Sequence, residues 1–290
     1  MNDSVKIVEC PRDAWQALPA QIPAKEKADY LQQLITAGFR HIDAVSFVSP
    51  AAVPQMADSE KVLELVEAVP ALELIGIVVN RKGAERAIST GSVHTLGFPF
   101  SISTHFLRRN QNQAPEESLA VLKEIVALAA QEGLGVVAYL SMAFGNPYGD
   151  PWNLGLVADG CGRLIESGVP QISLADTVGL ASSTQIAETV AMVLDLEAGV
   201  EIGVHLHARR EQAAEKVRAA YEAGCRRFDA AMGGLGGCKF AQDALVGNLP
   251  TEIVVEELRN LGAHIPRLQP LEDLIDSAAE IERRFNMAMR

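Results

Sequence analysis

One pattern of apolar and polar positions recurs along most of the chain. A short apolar run, often β-branched, is followed by a longer stretch whose apolar residues repeat with the 3.6-residue period of a helix. The short runs predict eight strands, at 5–9, 41–46, 72–79, 92–98, 135–141, 171–175, 201–207 and 226–231. The stretches between them predict helices, among them 24–37, 115–131, 154–167, 183–195 and 209–223.

The ends of these helices carry the expected residue types. Several are followed by a glycine, which favours the left-handed cap that stops a helix: Gly38, Gly133, Gly168 and Gly224. Pro115 followed by two glutamates suits a first helical turn, where the missing amide costs nothing and acids meet the positive end of the dipole.

Strands that alternate with helices predict a parallel sheet. An open doubly wound sheet is the alternative to a closed (β/α)₈ TIM barrel. Eight units in under about 260 residues, without a linker, favour the barrel, which uses about 250 residues as one domain. We therefore expect a single domain over residues 1–290, with 251–290 forming C-terminal helices that pack on the barrel.

Composition and charge narrow the functional classes. Of 290 residues, 48% are hydrophobic, which fits a packed globular protein, and 37 acidic against 25 basic residues give a net charge of −12. A field of that sign repels nucleic acids and anionic membranes, and no apolar run is long enough to span a bilayer. We expect neither a nucleic-acid nor a membrane partner.

The cysteines and the first strand bear on the compartment. Cys10, Cys161, Cys225 and Cys238 form no Cys-x-x-Cys pair, which predicts free thiols in a reducing compartment. The first predicted strand begins at Val5, which leaves no room for a signal or transit peptide. We expect a cytoplasmic protein.

In a barrel, chemistry is carried at the C-terminal ends of the strands, so polar residues there are candidates. Strand 1 is followed by Arg12 and Asp13, for which a surface turn with a local ion pair is an equally good interpretation. Strand 2 carries Asp43 and Ser46, and strand 6 leads into Asp176.

Strand 7 carries His205 and His207. Because successive strand residues alternate between faces, both imidazoles point the same way and can reach one metal ion. The alternative is a pair of core histidines with hydrogen-bond partners, but two histidines at the end of one strand are hard to satisfy in that way.

Strand 8 is followed by the glycine-rich segment 233–237, which ends at Cys238. Such a segment lets the backbone approach a ligand or move as a lid; by itself it is equally typical of a flexible loop. Ten residues further lies Asn248, a candidate oxygen ligand. One carboxylate, two imidazoles and an amide oxygen form a mixed site that suits Mg²⁺ or Mn²⁺.

At this point the chain resembles the 3-hydroxy-3-methylglutaryl-CoA lyases, within a superfamily of barrel metallolyases that includes isopropylmalate and homocitrate synthases. The matching motifs occur in order over about the first 250 residues. They are 5–9 with Pro11-Arg12-Asp13 and Gln16, 46–50 with 53–56, 144–148, Asp176-Thr177-Val178-Gly179, His205-Leu206-His207, 233–238 and Gly247-Asn248.

The resemblance implies a role for each matching residue. The divalent-metal ligands would be Asp13, His205, His207 and Asn248. Arg12 would steady the developing enolate oxygen, Cys238 would transfer a proton, and Asp176 would be a supporting carboxylate near the substrate. Asp43 stands where a glutamate is usual in the family. His205 or Asp43 would relay the proton of the substrate hydroxyl group. Gln16 and Ser46 would contact the substrate.

The chain also departs from the lyase pattern, and the departures cluster at the mouth of the barrel. Ala14-Trp15, Ala208-Arg209-Arg210 and Lys239-Phe240 replace the usual residues, and Asn146 replaces a cysteine. Trp15 is expected to add bulk near the substrate. The helix after strand 7 is expected to open with Arg209 and Arg210, which either hold an anion or lie on solvated surface.

We therefore expect a metal-dependent lyase that cleaves 3-hydroxy-3-methylglutaryl-CoA to acetyl-CoA and acetoacetate, as in leucine degradation. Its partner is an acyl-CoA, and its state a homodimer or higher homo-oligomer. The alternatives are a lyase for a related 3-hydroxy-3-alkylglutaryl-CoA, a Claisen-type condensing synthase and a catalytically silent barrel. A lysine-based aldolase is disfavoured because none of the eight lysines lies convincingly at the end of an inner strand.

Overall fold

The protein is described by a computed structural model that covers residues 4–196, 199–237 and 246–286. Eight parallel strands pair in chain order, and the pairing of the first with the eighth closes them into a (β/α)₈ TIM barrel. The strands are β1 (Lys6–Glu9), β2 (His41–Ser46), β3 (Glu73–Ile77), β4 (Thr95–Ser101), β5 (Gly135–Ser141), β6 (Gln171–Asp176), β7 (Glu201–Ala208) and β8 (Arg227–Ala230).

Helices fill the connections and surround the barrel. They are α1 (Pro11–Trp15), α2 (Ala24–Ala37), α3 (Ser59–Glu64), α4 (Arg81–Ser89), α5 (Thr104–Gln111), α6 (Pro115–Glu132), α7 (Leu154–Glu166), α8 (Ser183–Leu194), α9 (Ala213–Glu222), α10 (Thr251–Asn260) and α11 (Glu272–Phe285). No helix in these described ranges is long and apolar enough to cross a membrane.

The eight predicted strands are all present, and helix α2 has the predicted bounds. The expectation that the helix after strand 7 opens with two arginines is wrong. Helix α9 begins only at Ala213, while Arg209 lies in the connection and Arg210 begins a short 3₁₀ turn. Sequence reasoning also missed β9 (Gly247–Asn248), a two-residue strand that pairs antiparallel with the end of β7.

The alternation of side chains along the strands separates two apolar regions. Ile7, Leu74 and Val136 belong to the large core between strands and helices. Their neighbours Val8, Ile75 and Val137 form a small separate cluster, drawn from the alternate strands β1, β3 and β5. This is the arrangement of a filled barrel interior, so ligand chemistry is confined to the mouth above it.

Beyond the barrel strands, two helices complete the fold. Helix α10 packs against α9 and buries Val254, Val255 and Leu258, while α11 contacts α2. The connection from β9 to α10 is short, so α10 ties Asn248 to the barrel wall.

Candidate metal centre and active site

Three side chains that could hold a metal ion converge at the mouth of the barrel. Asp13 lies in α1, directly after β1, and His205 and His207 lie near the end of β7. One ligand atom from each lies within 4.8 Å of the other two, and all three residues are buried. A buried carboxylate beside two imidazoles offers the oxygen and nitrogen donors that bind a divalent cation.

The two imidazoles face each other through Nε2, at 3.3 Å. Two ligands that each lie about 2.1 Å from one ion at a right angle are about 3.0 Å apart, so the spacing suits neighbouring positions of an octahedral site. The alternation of β7 places both rings on the same face, as the sequence predicted.

Asn248 completes the cluster from β9, where it lies opposite His207. Its Nδ2 donates to Asp13 Oδ2 at 2.9 Å and to the Leu235 carbonyl at 2.8 Å. With both amide hydrogens committed, Oδ1 is the atom left to serve as a ligand. The structure therefore brings together all four predicted ligands.

The protonation states of Asp13 and His207 suit cation binding. Burial raises the pKa of Asp13, but Arg12 and the two histidines outweigh burial and hold that pKa at about 2. Burial and the neighbouring His205 lower the pKa of His207 to about 4. At neutral pH Asp13 is charged and His207 is neutral, which are the forms that bind metal.

Arg12 is held by three side chains. Nε donates to Asp43 Oδ1 at 3.0 Å, and Nη2 donates to the second Asp43 oxygen. Nη1 donates to Asp13 Oδ1 and Gln16 Oε1, both at 3.0 Å. Among the described residues the second Nη2 hydrogen has no acceptor, so it is free for a developing negative charge.

Gln16 and Ser46 were predicted to contact the substrate. Gln16 Nε2 donates to Asp13 Oδ1 at 2.8 Å, so this side chain braces both Arg12 and Asp13. Ser46 is buried, and its Oγ accepts from the Val48 amide at 3.3 Å. Substrate contact by either residue stays a prediction.

Asp176 lies at the end of β6, and its oxygens point at backbone and at a lysine. Oδ1 accepts from the Leu180 amide at 2.8 Å, and Oδ2 accepts from the Ala181 amide at 3.1 Å and from Lys216 Nζ at 3.0 Å. Sequence reasoning passed over Lys216. The sequence feature that could have revealed a buried role for this lysine is its position on the apolar face of a helix, between Ala213 and Val217.

A second missed pair lies inside the barrel, below His205. Asp229 Oδ2 is 3.5 Å from His205 Nδ1 and accepts from Ser173 Oγ at 2.8 Å, while Asp229 Oδ1 is 3.2 Å from Arg227. Asp229 raises the pKa of His205 against the effect of burial. Arg227 and Asp229 lie two positions apart on the inward face of β8, and this spacing is visible in the sequence.

The glycine-rich segment packs directly on the backbone of α1 at Asp13, one of the candidate metal ligands. A Cβ on Gly236 would lie 2.6 Å from Ala14 Cα and 2.9 Å from the Asp13 carbonyl oxygen, and one on Gly247 would lie 2.1 Å from the Gly234 carbonyl oxygen. These glycines allow backbone to approach backbone. Cys238 lies outside the described residues.

Of the departures from the lyase pattern, Trp15 lies elsewhere than expected, whereas Asn146 lies in a loop at the C-terminal end of a strand, as expected. Trp15 adds no bulk at the mouth, because it is buried in the core with its ring edge-on to Tyr30 at 5.5 Å. Asn146 organises the loop after β5, where its Oδ1 accepts from the amides of Tyr148 and Asp150. The exposed Arg210 pairs with Glu252 at 2.7 Å.

Comparison with known proteins shows the family of this chain. The HMGL-like family profile matches residues 5–278. The chain is 34% identical to a mitochondrial hydroxymethylglutaryl-CoA lyase of Bos taurus, over 97% of this chain and 86% of the relative. It is 31% identical to a hydroxymethylglutaryl-CoA lyase of Bacillus subtilis, over 95% and 91%.

Solved structures extend the likeness. An HMG-CoA lyase from Brucella melitensis superposes with a TM-score of 0.89 at 30% identity, covering 98% of this chain and 99% of the other. An HMG-CoA lyase from Acinetobacter baumannii, in complex with coenzyme A and 3-methylmalate, has a TM-score of 0.88 at 33% identity, over 97% and 91%. The carboxyl transferase domain of a Rhizobium etli pyruvate carboxylase, at 17% identity and a TM-score of 0.75, shares the fold.

Proposed function

This chain belongs to the HMGL-like family, and we propose that it is a divalent-metal-dependent carbon–carbon lyase that cleaves 3-hydroxy-3-methylglutaryl-CoA to acetyl-CoA and acetoacetate. The observation that carries the proposal is the convergence of Asp13, His205 and His207 at the mouth of the barrel, beside a fixed guanidinium. Relatives named as hydroxymethylglutaryl-CoA lyases match it over most of their length.

Asp13, His205, His207 and Asn248 would hold the ion, and their mixed oxygen and nitrogen donors suit Mg²⁺ or Mn²⁺. When bound, such an ion supplies Lewis acidity to the substrate hydroxyl and to a neighbouring oxygen. The protein contributes a cluster whose carboxylate is ionised and whose donors are already braced by Gln16 and Leu235.

Cleavage begins with loss of the proton from the 3-hydroxyl group to a base, for which His205 and Asp43 are the candidates. The O–H electron pair forms the ketone carbonyl as the Cα–Cβ bond breaks. The electrons of that bond pass into the thioester as an enolate. A proton taken up by Asp43 would weaken its pair with Arg12, so Asp43 serves primarily to orient the guanidinium.

Arg12 meets the enolate oxygen through its free Nη2 hydrogen. A single positioned donor to an oxyanion contributes about 2.7–4 kcal/mol to the transition state in other enzymes. The guanidinium is fixed by Asp13, Gln16 and Asp43 before the reaction begins, so no reorganisation is needed. Cys238 would then return a proton to the enolate carbon, which completes acetyl-CoA.

The proposal extends to the substrate class, the pathway, the cellular compartment and the oligomeric state. The coenzyme A complex of the Acinetobacter baumannii lyase supports an acyl-CoA substrate. We place the reaction in leucine degradation, in the cytoplasm, with a homodimer or higher homo-oligomer as the working state. Relatives are named as mitochondrial and as cytoplasmic enzymes, and others come from bacteria.

The test is acetyl-CoA release from 3-hydroxy-3-methylglutaryl-CoA, with Mg²⁺ or Mn²⁺ and then with EDTA. We expect turnover that EDTA abolishes and that added metal restores. Arg12→Gln is the control for chemistry, because it removes the guanidinium and should retain metal binding. Metal binding without turnover would contradict the substrate and direct the assay to other 3-hydroxy-3-alkylglutaryl-CoA thioesters.

A further inference from the structure

Lys216 lies on the buried, apolar face of helix α9, where a charged side chain is unusual. Its neighbours on that face of α9, Ala213, Val217 and Ala220, are core residues, and the lysine side chain is only 4% exposed. An unpaired ammonium in such a place would be strongly unfavourable, so its partners must offset the burial.

Those partners are two groups at the mouth of the barrel. Lys216 Nζ donates to Asp176 Oδ2 at 3.0 Å and to the backbone carbonyl of His207 at 2.8 Å. Asp176 is itself 2% exposed and accepts from the amides of Leu180 and Ala181. Its oxygens are therefore committed to this network.

The network joins three elements at one ligand. Asp176 is the last residue of β6, and Lys216 lies in α9. The His207 carbonyl lies at the end of β7, one residue before the strand stops. His207 also lies opposite Asn248 in the β7–β9 ladder, so a shift of this peptide group would move two proposed ligands together.

We propose that Lys216 and Asp176 form a positioning pair that fixes the His207 end of β7 and thereby the geometry of the metal site. The inference rests on the proposed metal site. Lys216 touches no reacting atom, and it acts only through the backbone of a ligand. Supporting groups around a metal typically change its affinity about 10–100-fold when they are removed.

Electrostatics and positioning make opposite predictions for Lys216→Met. Loss of a positive charge near the cluster would, by charge alone, tighten the binding of a cation. Loss of the hydrogen bond from Lys216 to the His207 carbonyl should weaken cation binding. We expect the affinity of the apoprotein for Mn²⁺ to fall about tenfold or more, measured by calorimetric titration well below the unfolding temperature.

The double variant Lys216→Met/Asp176→Asn leaves the net charge unchanged and leaves no buried ion unpaired, so it decides the case if the single variant does not fold. It should show the same loss of Mn²⁺ affinity. Lys216→Arg, which keeps a cationic donor, should restore most of it.

A second buried lysine offers a matched control. Lys27 donates to Asp58 at 2.6 Å and to the Gln55 carbonyl, and it is not hydrogen-bonded to any of the four proposed ligands. Lys27→Met/Asp58→Asn should lower the unfolding temperature but leave Mn²⁺ affinity unchanged. An equal loss of affinity in this control would show general destabilisation and overturn the inference.

The outcomes separate the two proposals. A wild-type apoprotein that binds no Mn²⁺ would refute the metal site, and the positioning pair with it. A wild type that binds Mn²⁺, with Lys216→Met and the double variant each binding it within about twofold of the wild type, would refute the positioning pair alone. Tighter binding by Lys216→Met would show that charge, and not position, is the contribution of this lysine.

Discussion

Gly236 offers a sharp test of how the glycine-rich segment shapes the site. Its φ is +80°, and a Cβ there would lie 2.6 Å from Ala14 Cα and 2.9 Å from the Asp13 carbonyl oxygen. Both contacts are to backbone, which cannot rotate away as a side chain would. Gly236→Ala should therefore push α1, and Asp13 with it, away from the histidines.

Two costs add in this variant. An alanine in left-handed backbone costs about 1–2 kcal/mol. To reach an ordinary contact of about 3.4 Å the two segments must separate by roughly 0.5–0.8 Å, and forced overpacking of this kind costs about 1–3 kcal/mol. The free energy of unfolding should fall by about 2–5 kcal/mol. Since a misplacement near 1 Å can cost about a hundredfold in rate, turnover should fall about 10–100-fold.

Gly133→Ala isolates the first cost. Gly133 caps α6 with a φ of +71°, and nothing lies within 4 Å of the Cβ that it would gain. Urea denaturation, Mn²⁺ titration and acetyl-CoA release are compared for the two variants. If Gly236→Ala loses no more stability than Gly133→Ala and keeps full Mn²⁺ affinity, the idea that Gly236 exists for close approach to Asp13 is refuted.

Three further changes have defined outcomes. His207→Ala should abolish measurable Mn²⁺ binding, and an unaltered affinity in titration would sink its assignment as a ligand. Cys238→Ala should lower kcat strongly with Mn²⁺ affinity barely changed, whereas near wild-type turnover would remove the thiol from the mechanism. Glu9→Gln tests a buried carboxyl that accepts from the Met232 amide and the Thr251 hydroxyl, and whose pKa burial raises from 4.5 to about 8. Since the folded state then binds the extra proton, stability from this group is present below pH 4.5 and is lost as pH rises towards 8, by at most roughly 1.4 kcal/mol per pH unit. Glu9→Gln should remove this decline, and an unchanged slope of unfolding free energy between pH 5 and 8 would contradict the buried, protonated state.

Much of the candidate site could be predicted because a barrel converts position along a strand into position in space. Arg12 and Asp13 follow β1, the two histidines lie in the C-terminal half of β7 and Asp43 lies within β2, and parallel strands bring their C-terminal ends to one mouth. The interpretation of Arg12 and Asp13 as a mere surface turn fails, because both are 8% exposed and joined to Asp43 or Asn248.

The residues whose positions the sequence did not predict have one physical cause in common. Lys216, Asp229 and Trp15 were misjudged or passed over because their partners are distant in the chain or set by the orientation of a helix. Lys216 and Asp176 are 40 residues apart, and they meet only because α9 packs against α8 and β7, which brings the lysine to the end of β6. Trp15 was expected at the mouth from its place beside Asp13, but the turn of α1 directs it into the core.

Periodicity and strand ends are local properties, so the sequence by itself determined the barrel, the order of its elements and the candidate ligands. The completion of the site is not local. Asn248 reaches Asp13 across 235 residues through a two-residue strand that has no periodic pattern to reveal it. Whether a lysine lies in solvent or contacts the backbone of a buried histidine, and whether a glycine bends a loop or admits a neighbouring backbone, depend on packing between elements. Only the tertiary structure decided those points, because their energies come from contacts that no single segment contains.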